Sequence, residues 1–237
     1  MIKAVTFDCW DTLIVDARSC ESRQKERLSI ILQGHGFQFS LDELDDAFQR
    51  ENKLRQEYVV EQRKTKNALQ RLETVLKLLE VSLPLAEMVS IADFSDRVIL
   101  ESRPSPVPKV REVLAVLDKD FQLAVICNTG WHSAGTIKEI LDGHDLMNFF
   151  DCFSFSDEIG VAKPHPRIFQ VTLDKLRCSP KEAVHIGDAE YSDIVGAKGV
   201  KMHTILFTGV NYKYKDNNTA DIVVDAYDNL PAILKEI

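Results

Sequence analysis

Three carboxylates and one ammonium group stand out because of what precedes them. Asp8 closes the apolar run IKAVTFD and Asp188 closes AVHIGD; Asp193 follows five residues after Asp188. Lys163 lies between these segments in Ala162-Lys163-Pro164-His165-Pro166. A further apolar run, QLAVIC, ends in Cys127-Asn128-Thr129-Gly130, which supplies a thiol, an amide and a hydroxyl. Two converging aspartates suit a hard divalent cation. Mg²⁺ takes oxygen ligands, commonly one or two carboxylates, and leaves other positions to water and substrate phosphate. A carboxylate kept ionised beside such a cation and a lysine can attack phosphorus and form an aspartyl-phosphate. The lysine neutralises charge on substrate and intermediate. Singly, each residue has an ordinary reading. An Asp after a strand is commonly a turn or cap residue, and a Lys before Pro is commonly solvated. The weight lies in their order and in their shared position at the ends of apolar runs.

Chemistry at run ends requires elements that bring those ends together. Residues 2–8 read as a buried strand. From about Asp16 to Arg103 the period turns helical: Leu28, Ile31 and Leu32 share a face, as do Leu41, Leu44 and Phe48, and Leu69, Leu72, Leu76 and Leu79. Ser40 before Leu41-Asp42-Glu43-Leu44 reads as an N-cap, and Pro84 opens another helix running to about Leu100. Four helices in a block predict a helical bundle. The stretch RPSPVP at 103–108 holds three prolines and marks a domain junction.

Beyond it, helices and short apolar strands alternate. Helices are expected at 109–118, 133–142, 165–176 and 190–198, and strands at 122–127, 152–155, 183–187, 202–207 and 221–224, before a final helix. This alternation predicts a parallel sheet flanked by helices, the α/β class. The N-terminal strand then joins the distant C-terminal strands. The domains are expected to be a core of 1–15 and 104–237 and an inserted helical domain of 16–103. Ligands of open parallel sheets bind at the carboxyl ends of the strands, where Asp8, Cys127 and Asp188 fall.

Composition narrows the partners. The 237 residues are 45% hydrophobic and 28% charged, so the chain is globular and long enough for a large core. Net charge is −8, which disfavours a nucleic-acid backbone as partner. No apolar run reaches the ~18 residues of a membrane span. The opening MIKAVTFDCW lacks a signal-peptide pattern, so a cytoplasmic location is expected. The five cysteines include no C-x-x-C pair, which argues against a disulfide framework or structural zinc. Cys127 reads as a small core residue.

Four motifs, VTFDCWDTL (5–13), LAVICNTG (123–130), GVAKPHPRIF (160–169) and VHIGDAEYSDIVGA (184–197), make the chain resemble the haloacid dehalogenase (HAD)-like hydrolase superfamily. The branch it resembles carries a helical cap inserted after the first strand. The resemblance covers essentially the whole chain and implies a Rossmann-like core under a cap that closes over the site, excludes water and selects substrate.

By that resemblance Asp8 is the nucleophile and a ligand of Mg²⁺, and Trp10 supplies a backbone carbonyl to the metal. Asp188 is the acidic metal ligand, and Asp193 supports the metal shell or the lysine. Cys127, Asn128 and Thr129 face the phosphoryl group, Lys163 neutralises it, and Thr12 is structural. The implied activity is a Mg²⁺-dependent phosphatase acting on a small phosphorylated metabolite, as a monomer or homodimer.

Two positions depart from the family pattern. Trp10 stands where the family's phosphatases carry a second Asp as general acid, and Cys127 stands where they carry Ser or Thr. Asp11, one residue past Trp10, is the alternative acid. An aromatic residue at position 10 resembles the 2-haloacid dehalogenases, which expel halide without acid or metal, but those replace the Gly-Asp that this chain keeps at 187–188. Phosphonoacetaldehyde hydrolases also lack the second Asp, but need a cap lysine. Lys25, Lys53, Lys64, Lys66 and Lys77 read as solvated, as do Arg50, Lys53 and Arg55 balanced by Glu51 and Glu57. A non-catalytic binding protein on the same fold is the remaining reading. His132 and His165 are expected to be exposed or structural.

Overall fold

The computed structural model describes residues 1–15 and 20–237, so the expected start of the helical block at Asp16 lies outside the described residues. The described chain divides into two units. One comprises residues 1–16, 104–128 and 141–237; the other comprises 17–103 and 129–140.

The first unit is built on six parallel strands: β1 (Ala4–Phe7), β2 (Gln122–Cys127), β3 (Cys152–Phe155), β4 (Ala183–Gly187), β5 (His203–Phe207) and β6 (Ile222–Val224). Their order across the sheet is β3-β2-β1-β4-β5-β6. In register, Phe7 sits opposite Val125 on one side and Ile186 on the other. That register sends Asp8, Asn128 and Asp188 off the same edge. The central strands are buried on both faces, which is why they read as unbroken apolar runs rather than alternating ones.

The helices that complete this unit are α5 (Val110–Leu117), the end of α6 (Ala134–Asp142), α7 (Ser156–Ile159), α8 (Pro166–Lys175), α9 (Gly196–Gly199) and α10 (Leu230–Glu236). Ile168, Phe169 and Leu173 of α8 pack with Ala4, Ala124 and Ile126 in one apolar cluster. Pro166 at the first position of α8 suits a helix start, where no N–H bond is lost.

The expected helix at 190–198 is a π-helical turn at Glu190–Val195 followed by α9. Both Asp193 N–H, at 2.9 Å, and Ile194 N–H, at 3.4 Å, reach back to the Ala189 carbonyl, so the turn is wider than an α-turn.

The second unit contains α1 (Cys20–Gly34), α2 (Leu41–Gln62), α3 (Ala68–Leu78), α4 (Leu85–Arg97) and the first turns of α6. Ser40 and Glu43 form a reciprocal capping box at the start of α2, and Asn67 and Gln70 form another at the start of α3. Leu28, Leu32, Leu44, Phe48, Leu72 and Leu76 share its core. Leu41 departs from its expected face: at the first position of α2 it is 71% exposed.

Two surface expectations are also corrected. Lys25 is not solvated; its side chain is 14% exposed and pairs with Glu21 and Asp45, each at 2.6 Å. Glu51 does not balance a surface face; it is fully buried and accepts from the Arg71 guanidinium, which also donates to Asn52 at 2.7 Å and lies 4.4 Å from the Trp131 ring centroid. No helix among the described residues is long and apolar enough to cross a membrane.

Candidate active site

Lys163 is the centre of a buried charge cluster at the carboxyl edge of the sheet. Its Nζ donates to Asp8 Oδ1 at 2.5 Å and pairs with Asp193 Oδ1 at 2.7 Å. Its exposure is 1%, so both bonds operate with little water to screen them. The lysine backbone is fixed by Asn128. The Asn128 Oδ1 accepts from Lys163 N–H at 2.8 Å, and its Nδ2 donates to the Lys163 carbonyl at 3.0 Å. Both ends of that amide are committed to the main chain of the segment that follows α7.

Asp193 is held from three sides. Besides Lys163, its Oδ1 lies 3.4 Å from His185 Nε2, and its Oδ2 accepts from Ala189 N–H at 3.0 Å. His185 lies fully buried within β4, with Thr6 Oγ1 2.8 Å from its Nδ1. Gly187 makes room for this arrangement: a Cβ there would overlap the Asp193 carboxyl group.

Asp188 takes a different partner. Its Oδ2 accepts from Asn211 Nδ2 at 2.7 Å. Ligand oxygens of Asp8, Asp188 and Asp193 all lie within 4.8 Å of one another. Oxygens sharing one Mg²⁺ at ~2.1 Å stand no more than ~4.2 Å apart, so sub-ångström adjustment suffices.

Electrostatics divide the three acids. Burial, with the charge of Asp193, raises Asp8 to about 6 despite Lys163 beside it. Burial and the charges of Asp8 and Asp193 raise Asp188 to about 8, with a smaller push from Asp11 and an opposing pull from Asn211. Burial also opposes ionisation of Asp193, but Lys163 and the bond to His185 outweigh it and hold that carboxyl well below the usual range. For Lys163, burial favours the neutral amine, yet Asp193 and Asp8 keep it charged well above its ordinary range. Among the described residues one cation thus contacts two of the three acids, and Asp8 and Asp188 are the acids with raised pKa. A divalent cation fits that donor set and that charge deficit.

The other expected residues are placed as follows. Trp10 is half-buried in a tight turn closed by Leu13 and Ile14 N–H bonds to the Cys9 carbonyl and by Asp11 N–H to the Ile14 carbonyl. Asp11 occupies left-handed backbone at φ 53°. The Thr12 carbonyl accepts from buried Tyr227 at 2.7 Å. Cys127 is fully buried, and its Sγ lies 3.7 Å from the Asn128 carbonyl; burial and the neighbouring Cys9 thiol push its pKa up, so it stays a neutral thiol.

Thr129 falls in the helical unit, with its hydroxyl 3.5 Å from that of Thr65. His132 Nδ1 donates to the Asp96 carbonyl at 2.7 Å, and His165 Nδ1 accepts from Arg167 N–H at the start of α8; both contacts are structural. Sequence reasoning missed His185 and Asn211. The first carried a signal, an imidazole inside the apolar run AVHIG; the second sits in a polar loop with none.

Comparison with known proteins places the chain in a family. The family model described as haloacid dehalogenase-like hydrolase matches residues 2–201. The glyceraldehyde 3-phosphate phosphatase of Pyrococcus furiosus is 28% identical over 237 residues, covering 99% of this chain and 92% of that protein. Among solved structures, the 2-haloacid dehalogenase from Pseudomonas syringae superposes with a TM-score of 0.72 at 24% identity, covering 100% of this chain and 99% of that one. A HAD phosphatase from Thermococcus onnurineus gives 0.70 at 22% identity, with 98% of both chains covered.

Proposed function

We infer that the chain, which belongs to the haloacid dehalogenase-like hydrolase family, is a Mg²⁺-dependent phosphatase of small phosphate monoesters. The observation that carries this reading is the unbalanced acidic pair Asp8 and Asp188 beside a lysine already shared with Asp193. Relatives named glyceraldehyde 3-phosphate phosphatase, matched over nearly their full length, support phosphate monoesters as the substrate class.

In this reading Asp8 and Asp188 hold the cation with the Trp10 carbonyl. Asp193, whose oxygens already hold Lys163, His185 and Ala189, fixes the lysine. When bound, the cation neutralises phosphoryl oxygens and so lets one anion approach another. A carboxylate oxygen of Asp8 attacks phosphorus, the O–P bond forms, and the bond to the leaving oxygen breaks with its electron pair. Lys163 holds Asp8 in one orientation and offsets charge as it develops. Water then attacks the aspartyl-phosphate, releasing phosphate and restoring Asp8. Asn128 acts by setting the Lys163 backbone, and the fully buried Cys127 thiol, turned to the Asn128 carbonyl, packs beneath the site.

The indole of Trp10 cannot protonate a leaving alkoxide. General acid help contributes ~10²–10⁴-fold, so substrates with good leaving groups are favoured unless Asp11 supplies the proton. A screen of aryl, acyl and sugar phosphates with and without Mg²⁺ tests the reading. Turnover should require Mg²⁺ and vanish in Asp8→Asn, and Trp10→Asp should raise sugar-phosphate rates relative to aryl rates. Turnover persisting in Asp8→Asn sinks the mechanism.

Trp10 also favours a second reading, metal-independent dehalogenation. Halide release from an L-2-haloacid in EDTA would establish it; Asp188 argues against it.

A further inference from the structure

We propose that Asn211 is a positioning residue for the cation site, orienting the carboxylate of Asp188 through its side-chain amide. This inference rests on the reading of Asp188 as a metal ligand and extends it to a residue outside the four motifs.

The amide of Asn211 is engaged at both ends. Its Nδ2 donates to Asp188 Oδ2 at 2.7 Å, and its Oδ1 accepts from the backbone N–H of Lys213 at 3.2 Å. The two bonds require opposite ends of the amide. A flipped amide would set its oxygen against a carboxylate and its NH₂ against an N–H, so the orientation is fixed by chemistry. Asp188 is only 8% exposed, so water is a poor substitute for the lost donor. With Oδ2 held, Oδ1 is the oxygen left to the cation.

The loop that carries Asn211 is itself anchored. Thr208 N–H donates to the Val224 carbonyl at 2.8 Å where β5 ends. Thr219 donates through both N–H, at 3.0 Å, and hydroxyl, at 2.7 Å, to Glu190 Oε1, two residues past Asp188. Residues 208–219 therefore return to the turn that bears the metal ligand, and Asn211 is presented on a fastened loop. A neutral amide suits this post: it donates to the carboxylate without neutralising the negative charge that attracts the cation.

Partners that orient a ligand commonly change metal affinity 10–100-fold when removed. The test is calorimetric titration of the full chain with MgCl₂, starting from EDTA-treated, dialysed protein. Asn211→Ala removes the donor. Asn211→Ser keeps a hydroxyl for the turn at Lys213 but is too short to reach Asp188. Both should weaken Mg²⁺ binding by about 10-fold or more, with metal-free circular dichroism spectra equal to wild type and a metal-free melting temperature lowered by the lost donor. In the activity assay, both should need more Mg²⁺ for half-maximal rate and recover wild-type kcat at saturating Mg²⁺. Lys213→Ala, which keeps the backbone N–H, should bind Mg²⁺ as wild type does.

A change below threefold in either Asn211 variant overturns the inference while leaving the metal reading intact. Absence of Mg²⁺ binding by the wild-type chain overturns both.

Discussion

Replacing Lys163 with methionine keeps much of the side-chain volume and removes the only cation in contact with Asp8 and Asp193 among the described residues. The lysine is 1% exposed, Asp8 7% and Asp193 1%, so water replaces little of what is lost. Removing one partner of a buried pair leaves an uncompensated charge and costs ~3–5 kcal/mol. For a chain of this size each kcal/mol moves Tm by ~2–4 °C, so the variant should melt ~6–20 °C lower.

The loss should depend on pH with a definite sign. Without Lys163, burial and mutual repulsion raise the carboxyls of Asp8 and Asp193 above their unfolded values. Stability of that kind is present at low pH and is lost as pH rises through the folded-state value. The gap from wild type should therefore be widest near pH 8 and should narrow towards pH 5. Asp193→Asn added to Lys163→Met removes one stranded charge and should recover part of the deficit, a coupling of ~0.5–3 kcal/mol. Urea unfolding followed by circular dichroism in EDTA, at several pH values, measures all of this. A Lys163→Met deficit below ~1 kcal/mol at pH 8, or one that grows on acidification, would refute the claim that this lysine balances buried acids.

Three further outcomes follow from the same geometry. Gly187→Ala sets a Cβ into the Asp193 carboxyl group, which cannot retreat without releasing Lys163, His185 or Ala189; ~1–3 kcal/mol of stability should go, with turnover falling at least in proportion, as read by Tm and kcat. In EDTA the wild-type chain should lose stability from about pH 6.5 to about 8 and level off above that. Asp188, raised to about 8, keeps in the folded chain the proton that the unfolded chain has already released, a difference of up to ~1.4 kcal/mol per pH unit that ends once the folded carboxyl ionises. His132 and His185, lowered by burial, act below that window. Saturating Mg²⁺ should flatten the slope, and a metal-free Tm that rises across the window would contradict the charge deficit. In the helical unit, Glu51→Ala strands the 5%-exposed Arg71 and should cost ~3–5 kcal/mol, whereas Arg50→Ala breaks an exposed pair with Asp46 and should cost less than ~0.5 kcal/mol by urea unfolding.

The contrast between Glu51 and Arg50 shows what a sequence conceals. The two are adjacent in α2, both charged, and both read as a solvated face. Glu51 is buried because Arg71, 20 residues away on α3, meets it across the bundle while Trp131 covers the guanidinium. No period within α2 encodes that meeting. The strands were legible for the opposite reason. Burial on both faces forces unbroken apolar runs, and β2, β3 and β4 lie at the residues the runs mark. The helix starts after Ser40 and Pro84 were legible because the signals that open a helix are local. The π-helical turn at 190–195 was not, since nothing in EYSDIV distinguishes it from an α-helical turn.

The same division runs through the active site. Order along the chain identified Asp8, Lys163, Asp188 and Asp193 as residues that share an edge. It left open which acid belongs to the lysine. That depends on distances of tenths of an ångström: Lys163 bonds Asp8 and Asp193, and Asp188 turns to Asn211 instead. Once those partners are fixed, the electrostatics follow. Asp193 is fully satisfied and stays ionised, whereas Asp8 and Asp188 retain demand for positive charge. A second lysine could meet that demand by forming another closed ion pair, but it would leave no open position for a phosphoryl oxygen. A divalent cation meets it and keeps coordination sites free for substrate. Among the described residues Asp188 is paired with a neutral amide rather than a cation, and that pairing suits this edge to phosphate chemistry rather than to a structural ion-pair network.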